Sequence, residues 1–192
     1  MKALKEAILK ESVVVNGNAV QLNTFLNHRV DVDLVTRMGR EIHSAFRDEE
    51  VDAILAIEAS GIATAFTTAQ AFGNVPLIYA KKGHSLTEDP DMFSAQVFSV
   101  SSREVNTIHI IRSILPEGMR VLIVDDFLGE GEAVEGLISI ARQARCDVAG
   151  VAVCVEKAFA AGGRRLRAEG IRVVSLATIE SVQDGKIVLG ED

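Results

Sequence analysis

No stretch of the chain approaches the ~20 consecutive apolar residues needed to cross a bilayer. No stripe of lysine and arginine is long enough to track a nucleic-acid backbone either: 20 basic residues are scattered among 27 acidic ones, for a formal net charge of −7. Membrane insertion and nucleic-acid binding are therefore not expected. Cysteine is scarce. Cys146 falls in an expected loop and Cys154 in an expected strand, and nothing at the start reads as a secretory leader. These features argue against a disulfide-stapled secreted domain and lead us to expect a reducing, cytoplasmic setting. Repeats, low-complexity tracts and interdomain linkers are missing too. What is present is 48% hydrophobic residues in a chain of 192, which suits one domain spanning 1–192 with a sizeable core.

Apolar runs rich in Val and Ile recur at 51–57, 75–79, 119–124, 148–155 and 171–176. Each is apolar on consecutive positions, the pattern of a parallel strand covered on both faces. Between them, Val35, Met38, Ile42 and Phe46 recur at helical spacing, as do Val134, Leu137, Ile138 and Ala141. Alternating strands and helices predict an α/β fold with a mostly parallel twisted sheet flanked by helices. Two stretches break the rhythm. Residues 84–102 read as a mobile loop leading into an antiparallel hairpin that returns near His109. Residues 1–27 read as a helix, a hairpin around Asn16 and Gly17, and a polar turn.

The segment richest in chemistry is Val121-Leu122-Ile123-Val124-Asp125-Asp126-Phe127-Leu128-Gly129-Glu130-Gly131-Glu132-Ala133. A strand delivers two carboxylates, a glycine-bearing turn follows, and a helix begins. In open α/β sheets ligands lie outside that end of the strands, where a helix offers unpaired N–H groups and its positive dipole end. Ribose hydroxyls and a hydrated Mg²⁺ are natural partners for the carboxylates, and a phosphate for the turn. Two aspartates that merely end a strand and cap a helix fit the same letters. Glu58-Ala59-Ser60-Gly61 repeats the arrangement after an earlier strand, with a serine helix cap as its plainer reading. Lys81 and Lys82 end a third strand, either as a solvated pair or as cations that close over an anion together with His84 and Ser85.

The pattern of four hydrophobics, two acids, two hydrophobics and a small glycine turn resembles the signature of type I phosphoribosyltransferases. The resemblance covers the whole chain. Phe25-Leu26-Asn27-His28, Ile57-Glu58-Ala59-Ser60-Gly61-Ile62-Ala63, Asp125-Asp126-Phe127-Leu128 and Val155-Glu156-Lys157 are similar, in that order, to stretches of the xanthine phosphoribosyltransferase family. The resemblance implies the type I fold, with a small hood from the terminal segments and a mobile loop. It also implies a cytoplasmic homodimer of purine salvage, in which a purine displaces Mg²⁺-bound pyrophosphate from 5-phosphoribosyl 1-diphosphate.

On this resemblance Asp125 and Asp126 are the catalytic pair for the ribose hydroxyls and, directly or through water, for Mg²⁺. Gly129, Glu130, Gly131, Glu132 and Ala133 hold the 5′-phosphate, while Ser60, Gly61 and Lys81 serve the pyrophosphate. Lys157 donates to the 6-oxo and N7 edge of the base and disfavours adenine, whose amino group would leave two donors facing each other. Phe159 stacks on the base, Asn27 donates to the 2-oxo group that xanthine alone carries, and Val20 is a further base contact. Glu130 and Glu132 depart from the family, which carries uncharged residues there. Two carboxylates there should repel a phosphate dianion, so either their side chains point outward while only the backbone faces the ligand, or the true ligand is less anionic than the family's. Another purine, or a ligand sensor of the same fold without turnover, stays open, although no DNA-binding segment for such a regulator is visible.

Overall fold

The computed structural model describes residues 1–17, 19–83, 91–99 and 104–190. The chain opens with α1 (Lys2–Glu11), the short hairpin β1 (Val13–Val15) and β2 (Ala19–Gln21), and a wide helical turn over Asn23–Asn27. Next come α2 (Val32–Ala45), β3 (Ala53–Ile57), α3 (Ile62–Ala71) and β4 (Leu77–Lys82). The hairpin β5 (Met92–Ser99) and β6 (Glu104–Ile111) precedes β7 (Arg120–Leu128), α4 (Glu132–Gln143) and β8 (Asp147–Lys157). α5 (Gly162–Ala168), β9 (Val173–Gln183) and β10 (Lys186–Leu189) complete the fold.

Eight strands form one sheet in the order β10-β9-β8-β7-β3-β4-β6-β5. The five central strands, β9 to β4 in that order, are mutually parallel, and each coincides with one of the apolar runs. β10 and the β5–β6 hairpin add antiparallel edges, with Ser94 opposite His109 as the alternation in that segment predicts. The mobile loop expected to lead into this hairpin, with His84 and Ser85, lies outside the described residues.

Strand alternation divides the core into two layers. Ala53, Leu55 and Ile57 of β3 and Val121 and Ile123 of β7 pack toward α4 and the β5–β6 hairpin. Ile54 and Ala56, with Leu122 and Val124, pack toward α1, α2 and α3. Because neither face sees water, both sets of positions are apolar, which is why these strands read as unbroken hydrophobic runs. α2 starts where the Asp31 carboxylate accepts the Leu34 N–H at 3.0 Å, and it buries Leu34, Val35, Met38 and Ile42 on one stripe. Gly39 on that stripe lets α2 approach α3 closely: a Cβ there would meet the Thr67 carbonyl carbon at 2.5 Å.

The hood forms from both ends of the chain. The Met1 amino group donates to the Leu176 carbonyl, and Lys5 Nζ donates to the Gly190 carbonyl at 2.6 Å. The β1–β2 hairpin, turned at Asn16 (φ 51°) and Gly17 (φ 84°), projects from this base toward the ends of the parallel strands. No helix of the described residues is long and apolar enough to cross a membrane.

Candidate active site

Chain order reverses across the sheet between β3 and β7. From β3 the chain moves outward to β4, whereas β7, β8 and β9 step away on the other side. Such a switch point leaves a crevice at the carboxyl ends of the two strands, because the connections that follow them depart in opposite directions. A cleft of about 860 Å³ opens there. Its floor is Asp125 and Asp126, its near wall Glu58, Ser60 and Lys82, and its far wall Lys157, Phe159 and the turn after β7. The hood contributes Asn16, Ala19 and Gln21, and the hairpin contributes Val97, Phe98 and Asn106.

β7 runs through Leu128, so the two aspartates lie within the strand rather than at a frayed end. Both are buried. Asp125 accepts the Asp126 backbone N–H at 2.9 Å. Burial, and after it the charge of Asp126, pushes the Asp125 carboxyl well above the usual carboxylate range. Asp126 is held from two sides: Ser60 Oγ donates to Oδ1 at 3.0 Å and Asn27 Nδ2 to Oδ2 at 2.7 Å. Gly61 leaves room for the other carboxylate, since a Cβ there would lie 2.8 Å from Asp125 Oδ1. The Glu58–Ala59 peptide is cis, and Glu58 Oε1 accepts the Lys82 N–H at 2.6 Å.

The turn from Gly129 to Ala133 lies along the cleft, and Gly131 takes the left-handed conformation (φ 93°) that glycine adopts without strain. The Glu130 carboxylate accepts the Ala161 N–H at 3.3 Å, next to Ala160 on the wall of the cleft. Glu132 is the first residue of α4, where a negative charge complements the helix dipole. Gly162 is in backbone contact with the turn and donates its N–H to the Gly129 carbonyl at 3.1 Å.

On the far wall, Lys157 Nζ is 5.1 Å from the Phe127 ring centre and 6.0 Å from that of Phe159. Burial lowers its pKa. The neighbouring Glu156 is buried. It accepts a two-pronged pair of 2.7 Å hydrogen bonds from Arg167 and another from Ser175, and these hold its carboxyl below the usual range.

Four expected site residues lie elsewhere than the cleft lining. Val20 falls between Ala19 and Gln21 on β2, so strand alternation turns it toward the α1–α2 core. Lys81 shares a face of β4 with Tyr79 and lines a separate depression of about 220 Å³ with His109, whereas Lys82 faces the cleft. Asn27 and Gly61 act behind the lining, against the aspartates. Glu58, Phe127 and the Glu156–Arg167 pair were not singled out in the sequence. Lys157 and Phe127 belong to paired strands, but only the sheet order shows that they meet.

Among the described residues no group of three His, Cys, Asp or Glu side chains forms a metal cage. Two carboxylates on a cleft floor suit Mg²⁺, which keeps several waters and takes further oxygens from a substrate's phosphates.

A family profile for the phosphoribosyl transferase domain matches residues 21–184. The xanthine phosphoribosyltransferase of Bacillus cereus strain G9842 is 42% identical over 187 residues, covering 97% of this chain and 94% of that protein. The chain belongs to the xanthine phosphoribosyltransferase family. Xanthine phosphoribosyltransferase 1 of Clostridium perfringens strain ATCC 13124 is 41% identical over 187 residues, with 97% and 98% covered. Among solved structures, the adenine phosphoribosyl transferase of Trypanosoma brucei, in complex with AMP, pyrophosphate and ribose-5-phosphate, superimposes with a TM-score of 0.77. It covers 95% of this chain and 82% of its own at 13% identity, a likeness of fold alone. The type I architecture expected from the motifs is therefore the one this family member adopts.

Proposed function

We propose that the chain transfers the 5-phosphoribosyl group from 5-phosphoribosyl 1-diphosphate to xanthine, releasing pyrophosphate and xanthosine 5′-monophosphate. The observation that carries this reading is the convergence in one cleft of paired aspartates, a glycine-bearing turn at a helix start and a partly desolvated lysine between two aromatic rings. In the reaction the C1′–O bond to pyrophosphate breaks, a bond from a purine ring nitrogen to C1′ forms, and positive charge builds on the ribose between the two events. Asp125 and Asp126 accept the ribose hydroxyls and orient the ring, and the amides of 129–133 take the 5′-phosphate. Asp125 and Asp126 would hold a Mg²⁺ ion arriving with the diphosphate, whose charge would neutralise the leaving group. Ser60 and Lys82 flank the pyrophosphate side; Lys82 takes the place expected of Lys81.

Lys157 donates to the 6-oxo and N7 edge, and Phe159 covers the base face. The Asn27 amide carries two hydrogens. One is engaged by Asp126, and because Asn27 sits behind the cleft lining, its side chain would have to turn toward the cleft to give the other to the 2-oxo group of xanthine, the contact that the resemblance implies. We further propose that the enzyme is a homodimer, as the resemblance implies. A reducing cytoplasmic setting suits the two buried, unpaired cysteines. Product identification with xanthine, guanine, hypoxanthine and adenine, each with 5-phosphoribosyl 1-diphosphate and Mg²⁺, tests the reading. Xanthine should lead in kcat/KM; equal rates for guanine would remove Asn27 from recognition, and binding without turnover would make the chain a sensor.

A further inference from the structure

Arg165 has no place in the chemistry above, yet it touches the phosphate turn directly. From the middle of α5 its Nη2 donates to the Glu130 carbonyl at 2.5 Å, and its Nε donates to Glu135 Oε1 at 2.5 Å. The carboxylates whose charges act on it are Glu135, Glu132 and Glu130. These three acids occupy the turn and the first helical turn after it, where a dianionic phosphate has to approach.

Peptide planarity gives the Glu130 contact a further consequence. In a trans peptide the carbonyl and the N–H point in opposite directions. Arg165 holds the Glu130 carbonyl toward α5, so the Gly131 N–H is turned away from α5. The Gly162 N–H holds the Gly129 carbonyl in the same way, which turns the Glu130 N–H away as well. Residues 129–131 line the cleft. Two donors of the turn are thus aligned by contacts made behind it.

We propose that Arg165 is a positioning residue for 5-phosphoribosyl 1-diphosphate, a role that rests on the transferase reading above. It fixes the Glu130–Gly131 peptide with its N–H free for the 5′-phosphate, and it cancels the acidic charge that this chain places around its own phosphate site. Lysine would serve less well, because a point charge on a flexible stem does not hold a carbonyl and a carboxylate in one planar fork.

The test compares the full-length parent with Arg165→Gln, Arg165→Lys and the triple variant Arg165→Gln, Glu130→Gln, Glu132→Gln. Steady-state kinetics with xanthine are paired with calorimetric binding of 5-phosphoribosyl 1-diphosphate. Arg165→Gln should raise KM and Kd for the diphosphate sugar about tenfold, equivalent to ~1.4 kcal/mol, and leave kcat and KM for xanthine within about twofold. Arg165→Lys should fall between parent and Gln, and the triple variant should recover most of the loss because the repulsion is gone. Unchanged sugar affinity in Arg165→Gln, with or without a lower thermal midpoint, would make the residue a structural brace and overturn the proposal. A deficit that persists undiminished in the triple variant would overturn the charge-cancelling role. A parent that neither binds nor turns over the sugar would instead fail the transferase reading itself.

Discussion

Gly162→Ala is the substitution whose cost can be worked most directly from the geometry of the site. A Cβ at 162 would lie 2.5 Å from the Gly129 carbonyl oxygen, 2.7 Å from the Glu130 carbonyl carbon and 2.7 Å from the Gly131 nitrogen. All three are backbone atoms, so no side chain can swing aside. Reaching an ordinary C···O contact of about 3.3 Å requires α5 and the phosphate turn to part by roughly 0.8 Å. That movement stretches the 3.1 Å Gly162-to-Gly129 hydrogen bond beyond use. Overpacking of this kind costs about 1–3 kcal/mol, and the lost hydrogen bond about 1 more. At about 2–4 °C per kcal/mol for a chain this size, the thermal midpoint should fall by roughly 5–15 °C. The same displacement misplaces the turn's amides, so kcat/KM for 5-phosphoribosyl 1-diphosphate should drop at least about tenfold. Scanning calorimetry and initial-rate kinetics read the two effects. Gly129→Ala is the steric control for stability, because nothing lies within 4 Å of its added methyl. A Gly162→Ala protein with parental midpoint and parental KM would show that α5 does not brace the turn.

The buried pairs beside the cleft give two further expectations, with opposite pH signs. Asp125 has a folded-state pKa raised above its unfolded value, so the stability linked to it is present at acid pH and is lost as pH rises through the raised value. Asp125→Asn should therefore raise the thermal midpoint relative to the parent by a margin that widens toward neutral pH, while kcat/KM falls about a hundredfold or more; a margin that does not change with pH would contradict the buried charge. Glu156, whose pKa is depressed by Arg167 and Ser175, behaves the other way: its stabilisation is present above the unfolded value and is lost as pH falls through the folded one. Glu156→Gln leaves Arg167 without its carboxylate, so at neutral pH it should cost about 2 kcal/mol, or about 4–8 °C, and the gap should close on acidification. Equal midpoints at pH 7 would rule the pair out as a brace for the strand that carries Lys157.

The five parallel strands were legible because burial on both faces leaves no polar position to interrupt them, and the four ordered motifs gave the family. Strand ends were less legible. β7 and β8 continue past their apolar runs into Asp125, Asp126, Glu156 and Lys157, since acids that face a ligand cleft break the hydrophobic pattern without breaking the strand pairing. The choice between Lys81 and Lys82 depends on register against β6, and the turn of Val20 away from the cleft and into the core depends on which face of β2 meets α1; neither is encoded locally. The Arg165 contact joins residues 35 positions apart across two loops, so no spacing in the sequence announces it. The contact of the Glu130 carboxylate with the Ala161 N–H likewise joins residues 31 positions apart.

The central claim is that the turn after β7 and the two aspartates on that strand together hold a phosphorylated ribose. A crystal structure of the chain with xanthosine 5′-monophosphate tests it most directly. The account predicts the 5′-phosphate against the amides of 129–133, the ribose hydroxyls on Asp125 and Asp126, and the base between Lys157 and Phe159. A nucleotide bound elsewhere, with this turn empty and Asp126 still closed on Asn27 and Ser60, would contradict it.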